Sequence, residues 1–198
     1  MNHLLQKMLD GELHHDEFTQ HYPSSYMFMS NFEERQEFTK YSWAIITIEY
    51  IQSLISLTKG KKVLEVCAGH GLVTKLMNKQ EGCEWIATDK KGENEYGIIM
   101  TDHVIKIEAM EAVIHFQPDI LFVSWIPYTS ILDSELADLE VPMIMVGESS
   151  GGCTGSNLIW DKKQIDYECN MAKIYPDLQD VPQWSGIHDR TWLINWKR

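Results

Sequence analysis

The chain has no apolar run long enough to cross a bilayer: the longest, Ile120 to Ile126, falls far short of the roughly 20 residues a spanning helix needs. Its start, Met1-Asn-His-Leu-Leu5, has neither the basic segment nor the long apolar stretch of a secretory signal. These two absences predict a cytoplasmic protein that does not enter a membrane. Cysteines are few, and Cys67, Cys83, Cys153 and Cys169 show no Cys-x-x-Cys spacing, which argues against a zinc site and for a reducing compartment. The histidines His3, His14, His15 and His21 crowd the N-terminal region, but no cysteine or second helix-spaced pair accompanies them. They read as solvated side chains, and no metal is expected. Positive charge is scarce as well. The formal net charge is -12, so a phosphate backbone is repelled unless a basic patch offsets it. The runs Lys59-Gly-Lys-Lys62, Lys90-Lys91, Lys162-Lys163 and Lys197-Arg198 are too short for that and read as solvated element ends. Nucleic acid is therefore a disfavoured partner.

What is present is an ordinary globular composition. With 198 residues, 44% of them hydrophobic and 11% aromatic, the chain can bury one core, and no internal repeat or low-complexity segment divides it. Residues 1–39 differ in character from the rest: Leu4, Leu5, Met8 and Leu9 mark a short amphipathic helix ending near Gly11, followed by polar segments and Pro23. We expect a helical cap or lid there, with the main domain over 40–198. From Lys40 to Thr58 the positions Ala44, Thr47, Ile48, Ile51, Leu54 and Ile55 recur at helical spacing, and Lys59-Gly60 stops the pattern.

Beyond Gly60, short apolar runs alternate with helical stretches, the signature of βα units that feed a parallel sheet. Strands are predicted at Lys62–Val66, Glu84–Thr88, Val104–Ile107, Ile120–Ser124, Met143–Gly147 and Thr191–Trp196. Helices are predicted at Leu72–Lys79, Met110–His115, Ile131–Leu139 and Leu158–Cys169, while Tyr175–Arg190 carries no clear signal. The fold class that follows is α/β: a Rossmann-like three-layer sandwich with a mostly parallel central sheet, an antiparallel C-terminal strand and a helical N-terminal cap.

The most informative stretch is Val63-Leu-Glu-Val-Cys-Ala-Gly-His-Gly-Leu72. A buried strand runs into a turn with two glycines and then a helix start, which lets main chain approach a nucleotide-like ligand. A nicotinamide-binding turn wants a third glycine where Thr74 stands, and a P-loop wants Gly-Lys-Ser/Thr, which is missing. Two acids complete the pattern. Glu65 lies in the first strand, and Asp89 lies at the end of the next, where a carboxylate can accept both hydroxyl hydrogens of a ribose.

At these residues the chain resembles the class I S-adenosylmethionine-dependent methyltransferases. Their first motif is matched by Glu65-Val-Cys-Ala-Gly-His-Gly71, with Cys67 where a glycine is usual, and their ribose-binding acid by Asp89, followed by Lys90. The resemblance implies S-adenosylmethionine as cofactor. Glu65 would lie near its amino group, the backbone from Cys67 through Ala68, Gly69 and Gly71 to Leu72 would line its methionine half, and Glu108, Ala109 and Met110 would face the adenine. Met110, with Val113 and Ile114, reads equally as the buried stripe of a short helix. The fourth element, Ser124-Trp-Ile-Pro-Tyr128, is similar to the Asp/Asn-Pro-Pro-Tyr loop of amino-group methyltransferases. Only Pro127 and Tyr128 match, so methylation of adenine or cytosine does not carry over.

Trp125 and Tyr128 could pack on a flat or cationic substrate, or be a core tryptophan and a helix-leading tyrosine. Tyr41 and Trp43, in Lys40-Tyr-Ser-Trp-Ala-Ile45, would cover the cofactor from a helix. The loop Gly147-Glu-Ser-Ser-Gly-Gly-Cys-Thr-Gly155 holds Glu148, the first candidate for a catalytic base, with Tyr128, then His188 and Asp189 behind it. Together these segments look like a group of uncharacterised methyltransferase-like proteins. The expected activity is methyl transfer to a small molecule or a protein. A non-catalytic binding or scaffold protein and a nicotinamide oxidoreductase are the rivals. A metal-dependent mechanism of the catechol type would want an acid where Ser124-Trp125 stands.

Overall fold

The computed structural model describes residues 2–23, 31–90, 97–99, 101–162, 165 and 167–197. Of the short basic runs, Lys91, Lys163 and Arg198 lie outside the described residues. In chain order the elements are α1 (His3–Asp10), α2 (His15–His21), α3 (Phe32–Thr39), α4 (Ile48–Thr58), β1 (Lys62–Val66), α5 (Leu72–Met77), β2 (Glu84–Asp89), β3 (Val104–Lys106), α6 (Ala109–Phe116), β4 (Ile120–Ser124), α7 (Leu132–Asp138), β5 (Met143–Gly147), α8 (Met171–Ile174) and β6 (Arg190–Ile194). No helix among the described residues is long and apolar enough to cross a membrane.

The six strands form one sheet in the order β3-β2-β1-β4-β5-β6, parallel throughout except for the antiparallel pair β5 and β6. The strands alternate their side chains between two apolar layers, as the two-residue period of a strand requires. Val63, Phe122, Ile144 and Leu193 face one layer, while Leu64, Leu121, Val123, Met145 and Trp192 face the other. This explains why β1 and β4 read as continuous apolar runs: both faces are covered. Because β1 pairs with β2 on one side and with β4 on the other, the chain reverses direction across the sheet at β1. In such sheets the crevice for a ligand opens outside the carboxyl ends of the strands flanking that point.

The described residues among 1–39 share the core of the sheet. Leu4, Leu5 and Met8 of α1, Phe18 of α2 and Phe38 of α3 belong to the same buried cluster as Val63 and Phe122. Phe18, Tyr22 and Phe38 surround Trp184, with ring centroids 5.1, 4.6 and 5.4 Å away. The Tyr175–Arg190 stretch, which carries no periodic signal, thus contributes through single buried side chains such as Val181 and Trp184.

Two predicted helices need correction. The one over Lys40–Thr58 starts only at Ile48, because Thr47 caps it with its hydroxyl accepting from the Tyr50 amide. Upstream, the Ser42 hydroxyl donates to the Ala44 carbonyl at 2.7 Å, and Tyr41–Thr47 leave the helical path. Side chain to backbone bonds of this kind compete with helix. Leu158–Cys169 is likewise not one α-helix: it holds 3-10 turns at Asn157–Ile159 and Tyr167–Cys169, with non-helical Ile165 between them. The last strand runs Arg190–Ile194 rather than to Trp196, and Asn195 leaves it at φ 54.

Candidate functional site

A cavity of about 710 Å³ opens at the carboxyl ends of β1, β2 and β4, within the range of about 300–1,000 Å³ usual for small-molecule sites. It is lined by Glu65, Cys67, Ala68, Gly69 and Leu72 from the first strand and turn, and by Asp89 and Lys90 from the second strand. Glu108, Ala109 and Met110 line it from the start of α6, Ser124, Trp125 and Tyr128 from the end of β4, and Tyr41 and Trp43 from the segment before α4. Every residue predicted to bind a cofactor is thus on the cavity wall except Gly71. Tyr41 and Trp43 reach it from an irregular segment, not from the expected helix.

Gly71 acts one layer back. Its backbone is left-handed, at φ 72, and a Cβ there would lie 2.6 Å from both His103 Nε2 and Val104 Cγ2. The bare carbon lets the His103 imidazole approach, and its Nε2 lies 2.9 Å from the Gly71 carbonyl oxygen, to which it donates. Thr101 adds a second tie, its hydroxyl donating to the His70 carbonyl at 2.9 Å. Cys67 also sits at a positive φ of 54, a left-handed backbone in which a side chain is strained. Trp125, at φ 55, carries the same strain at the end of β4. Cys67 and Trp125 both lie where a strand meets the cavity.

The acids differ in environment. Glu65 is buried, and its Oε2 accepts from the Thr74 amide at 2.9 Å and from the Thr74 hydroxyl at 2.5 Å. Burial pushes its carboxyl up to about 7; the Thr74 hydrogen bonds oppose this, and the Asp89 charge adds to it. Thr74, whose side chain spoils the nicotinamide fingerprint, therefore serves as the partner of the motif's own acid. Asp89 is half-buried, and its Oδ2 accepts from the Gly69 amide at 2.9 Å, so the second strand's acid braces the glycine turn. Lys90 and Glu108 face each other at 3.7 Å.

Glu148 is not on the cavity wall. Its Oε2 accepts from the Cys153 amide at 2.7 Å and its Oε1 from the His188 amide at 3.0 Å. Oε2 thus closes the loop after β5 on itself, and Oε1 ties that loop to the segment before β6. Tyr128, 68% exposed, stands at the cavity mouth. Asp189 is fully buried, with no hydrogen-bond partner on either carboxylate oxygen. Its carboxyl is pushed up to about 7, first by burial, against which the Trp125 indole acts, and then by Glu148. That indole N–H faces Asp189 short of hydrogen-bonding geometry and has no other partner. Trp125 stacks on Trp43 with centroids 5.1 Å apart and planes inclined by 29°.

The sequence gives no signal for Ile98 and Glu135 on the wall, nor for Arg35 behind it. His70, inside the glycine turn, and Cys153, inside the Gly147–Gly155 loop, also line the wall and belong to segments the sequence marks. Among the described residues, no three His, Cys, Asp or Glu side chains gather as a metal-binding group. None of Cys67, Cys83, Cys153 and Cys169 is joined in a disulfide. Comparison with known proteins gives no matching family model, no matching curated protein and no matching solved structure.

Proposed function

We propose that the cavity binds S-adenosylmethionine and that the chain transfers its methyl group to a small molecule or a protein in the cytoplasm. The observation that carries this reading is the pairing of two acids on one glycine turn: Glu65 beneath it and Asp89 bonded to the Gly69 amide, both on the wall of the same cavity. A buried carboxyl without a cationic partner suits an amino group, and a strand-end carboxylate suits the two hydroxyls of a ribose. The turn brings residues 67–70 and Leu72 to the cavity wall, where a methionine tail would lie, and Glu108, Ala109 and Met110 supply a partly apolar wall for a base. Bound there, the sulfonium supplies an electrophilic methyl group. The chain's own contribution is alignment and exclusion of water, and orientation of this kind contributes on the order of 7–11 kcal/mol to a displacement.

Tyr128 and the Trp43–Trp125 pair are the side chains placed to meet an acceptor. Glu148, with both oxygens engaged by backbone amides, is better read as a positioning residue than as a base. The net charge of -12 disfavours nucleic acid as the acceptor. Incubating cell extract with isotope-labelled donor, with and without the protein, tests the reading. Label appearing in a discrete small molecule or protein band only when the protein is present supports it, and no transfer at any pH from 6 to 9 counts against it.

A scaffold that keeps the cavity without turnover is the second reading, favoured by the engagement of Glu148 and by Arg35 packed on the Trp43–Trp125 pair. It predicts donor binding or none at all, with no transfer in either case. A nicotinamide oxidoreductase predicts binding of NADH, and the position of Thr74 beneath the turn speaks against it.

A further inference from the structure

A second cluster of polar groups lies behind the cavity wall. The guanidinium of Arg35, on α3, has its Cζ 5.3 Å from the ring centroids of both Trp43 and Trp125. Its Nε and Nη2 are buried without partners, as are both oxygens of Asp189 and the Trp125 indole nitrogen. Arg35 is held below its ordinary basicity by burial, against the pull of Asp189 and Glu148. An arginine whose guanidinium nitrogens are buried ordinarily closes a two-pronged contact with a carboxylate. Here the aromatic faces are used, the fully buried acid is left with its acceptor capacity unspent, and Glu148 adds a second negative charge. Unpartnered buried polar groups are rare in native proteins and call for an explanation.

We propose that the Trp43–Trp125 pair, with Asp189 and Glu148 behind it, is a receptor for a planar basic group, a guanidinium or amidinium, whose place Arg35 holds in the ligand-free chain. Three features fit this role. A planar, weakly hydrated cation stacks on indole faces better than a compact ammonium does. Trp43, Trp125 and Cys153 also line the large cavity, so a group seated here would adjoin the proposed donor site. Finally, α3 is lightly tethered: Phe38 is its one buried residue, and it has no side-chain cap at its start. Swinging Arg35 aside would therefore disrupt little packing. That the basic group belongs to the methyl acceptor rests on the methyl-transfer reading; the receptor chemistry itself does not.

The test uses methylguanidinium as probe, read by tryptophan fluorescence, with no sulfonium donor present and sodium chloride as the ionic control. Arg35→Ala vacates the position, and Arg35→Met, which keeps much of the side chain's apolar bulk, serves if the alanine variant folds poorly. Saturable binding is expected in the Arg35 variants, at least tenfold tighter than in the wild-type chain and at least tenfold weaker once Asp189→Asn is added. Methylammonium should bind more weakly than methylguanidinium. Non-saturating titrations in both Arg35 variants, or indifference to Asp189→Asn, would overturn the proposal and leave Arg35 as a purely structural contact. Because the donor is absent, a failure of S-adenosylmethionine to bind in a separate titration would bear on the methyl-transfer reading alone.

Discussion

Asp189→Asn should flatten the pH dependence of stability. The Asp189 carboxyl moves from an ordinary 3.8 to about 7 in the folded chain, so between those values the native state holds a proton that the unfolded state has released. A raised carboxyl pKa therefore makes stability fall as pH rises through this window, with the full cost present above 7. At 1.36 kcal/mol per pH unit the whole window amounts to about 4 kcal/mol, and the part between pH 5 and 7 to about 3 kcal/mol. Asparagine cannot ionise, so this slope should vanish from its variant. An amide left without partners adds a pH-independent loss of about 1–3 kcal/mol, which shifts the curve without tilting it. Urea unfolding followed by tryptophan emission at half-unit steps from pH 5 to 8 separates slope from offset. Glu65 titrates in the same direction, so some slope should persist in Asp189→Asn and disappear only when Glu65→Gln is added. A single variant whose slope equals that of the wild-type chain would refute the account of a buried, unpartnered acid.

Two further outcomes are expected. Donor binding should weaken by up to about tenfold per pH unit below 7, because Glu65 must give up its proton to receive an amino group; Glu65→Gln should bind weakly with no such slope, and calorimetry at several pH values checks both. Gly71→Ala should cost more than about 2 kcal/mol in thermal or urea unfolding, since it combines left-handed strain with a Cβ driven into His103 and Val104; a loss under about 0.5 kcal/mol would mean that the His103 strap gives way freely.

The sheet was legible because its signals are local. β1, β4 and β5 read as strands from apolar runs between turns, and their bounds match the structure. The helix pattern from Lys40 misled because apolar spacing alone does not register the Ser42 and Thr47 side chains that hold the backbone off the helical path. Leu158–Cys169 failed in the same way, Ser156 capping a turn of 3-10 helix instead of a longer one. Most of the cavity wall could be anticipated because its segments sit just after β1, β2, β3 and β4, where the topology gathers them; Tyr41 and Trp43, which precede α4, are the exception. Arg35 could not be anticipated, and Asp189 stood out only as a candidate base behind Glu148, not as a partner of the tryptophan pair. They meet at the Trp43–Trp125 pair only through the packing of α3 and the segment before β6, and neither carries a motif. Glu148 looked like a base from its position in a glycine-rich loop, yet its orientation toward the Cys153 and His188 amides is a three-dimensional fact.

The most direct test of the central claim is calorimetric titration of the protein, stripped of any co-purified nucleoside, with S-adenosylmethionine and S-adenosylhomocysteine. One site per chain is expected for both ligands, with Asp89→Ala weakening each at least tenfold, since it removes both the ribose partner and the brace on Gly69. Absence of heat and of thermal stabilisation for both ligands, in a chain shown to be folded, would contradict the claim.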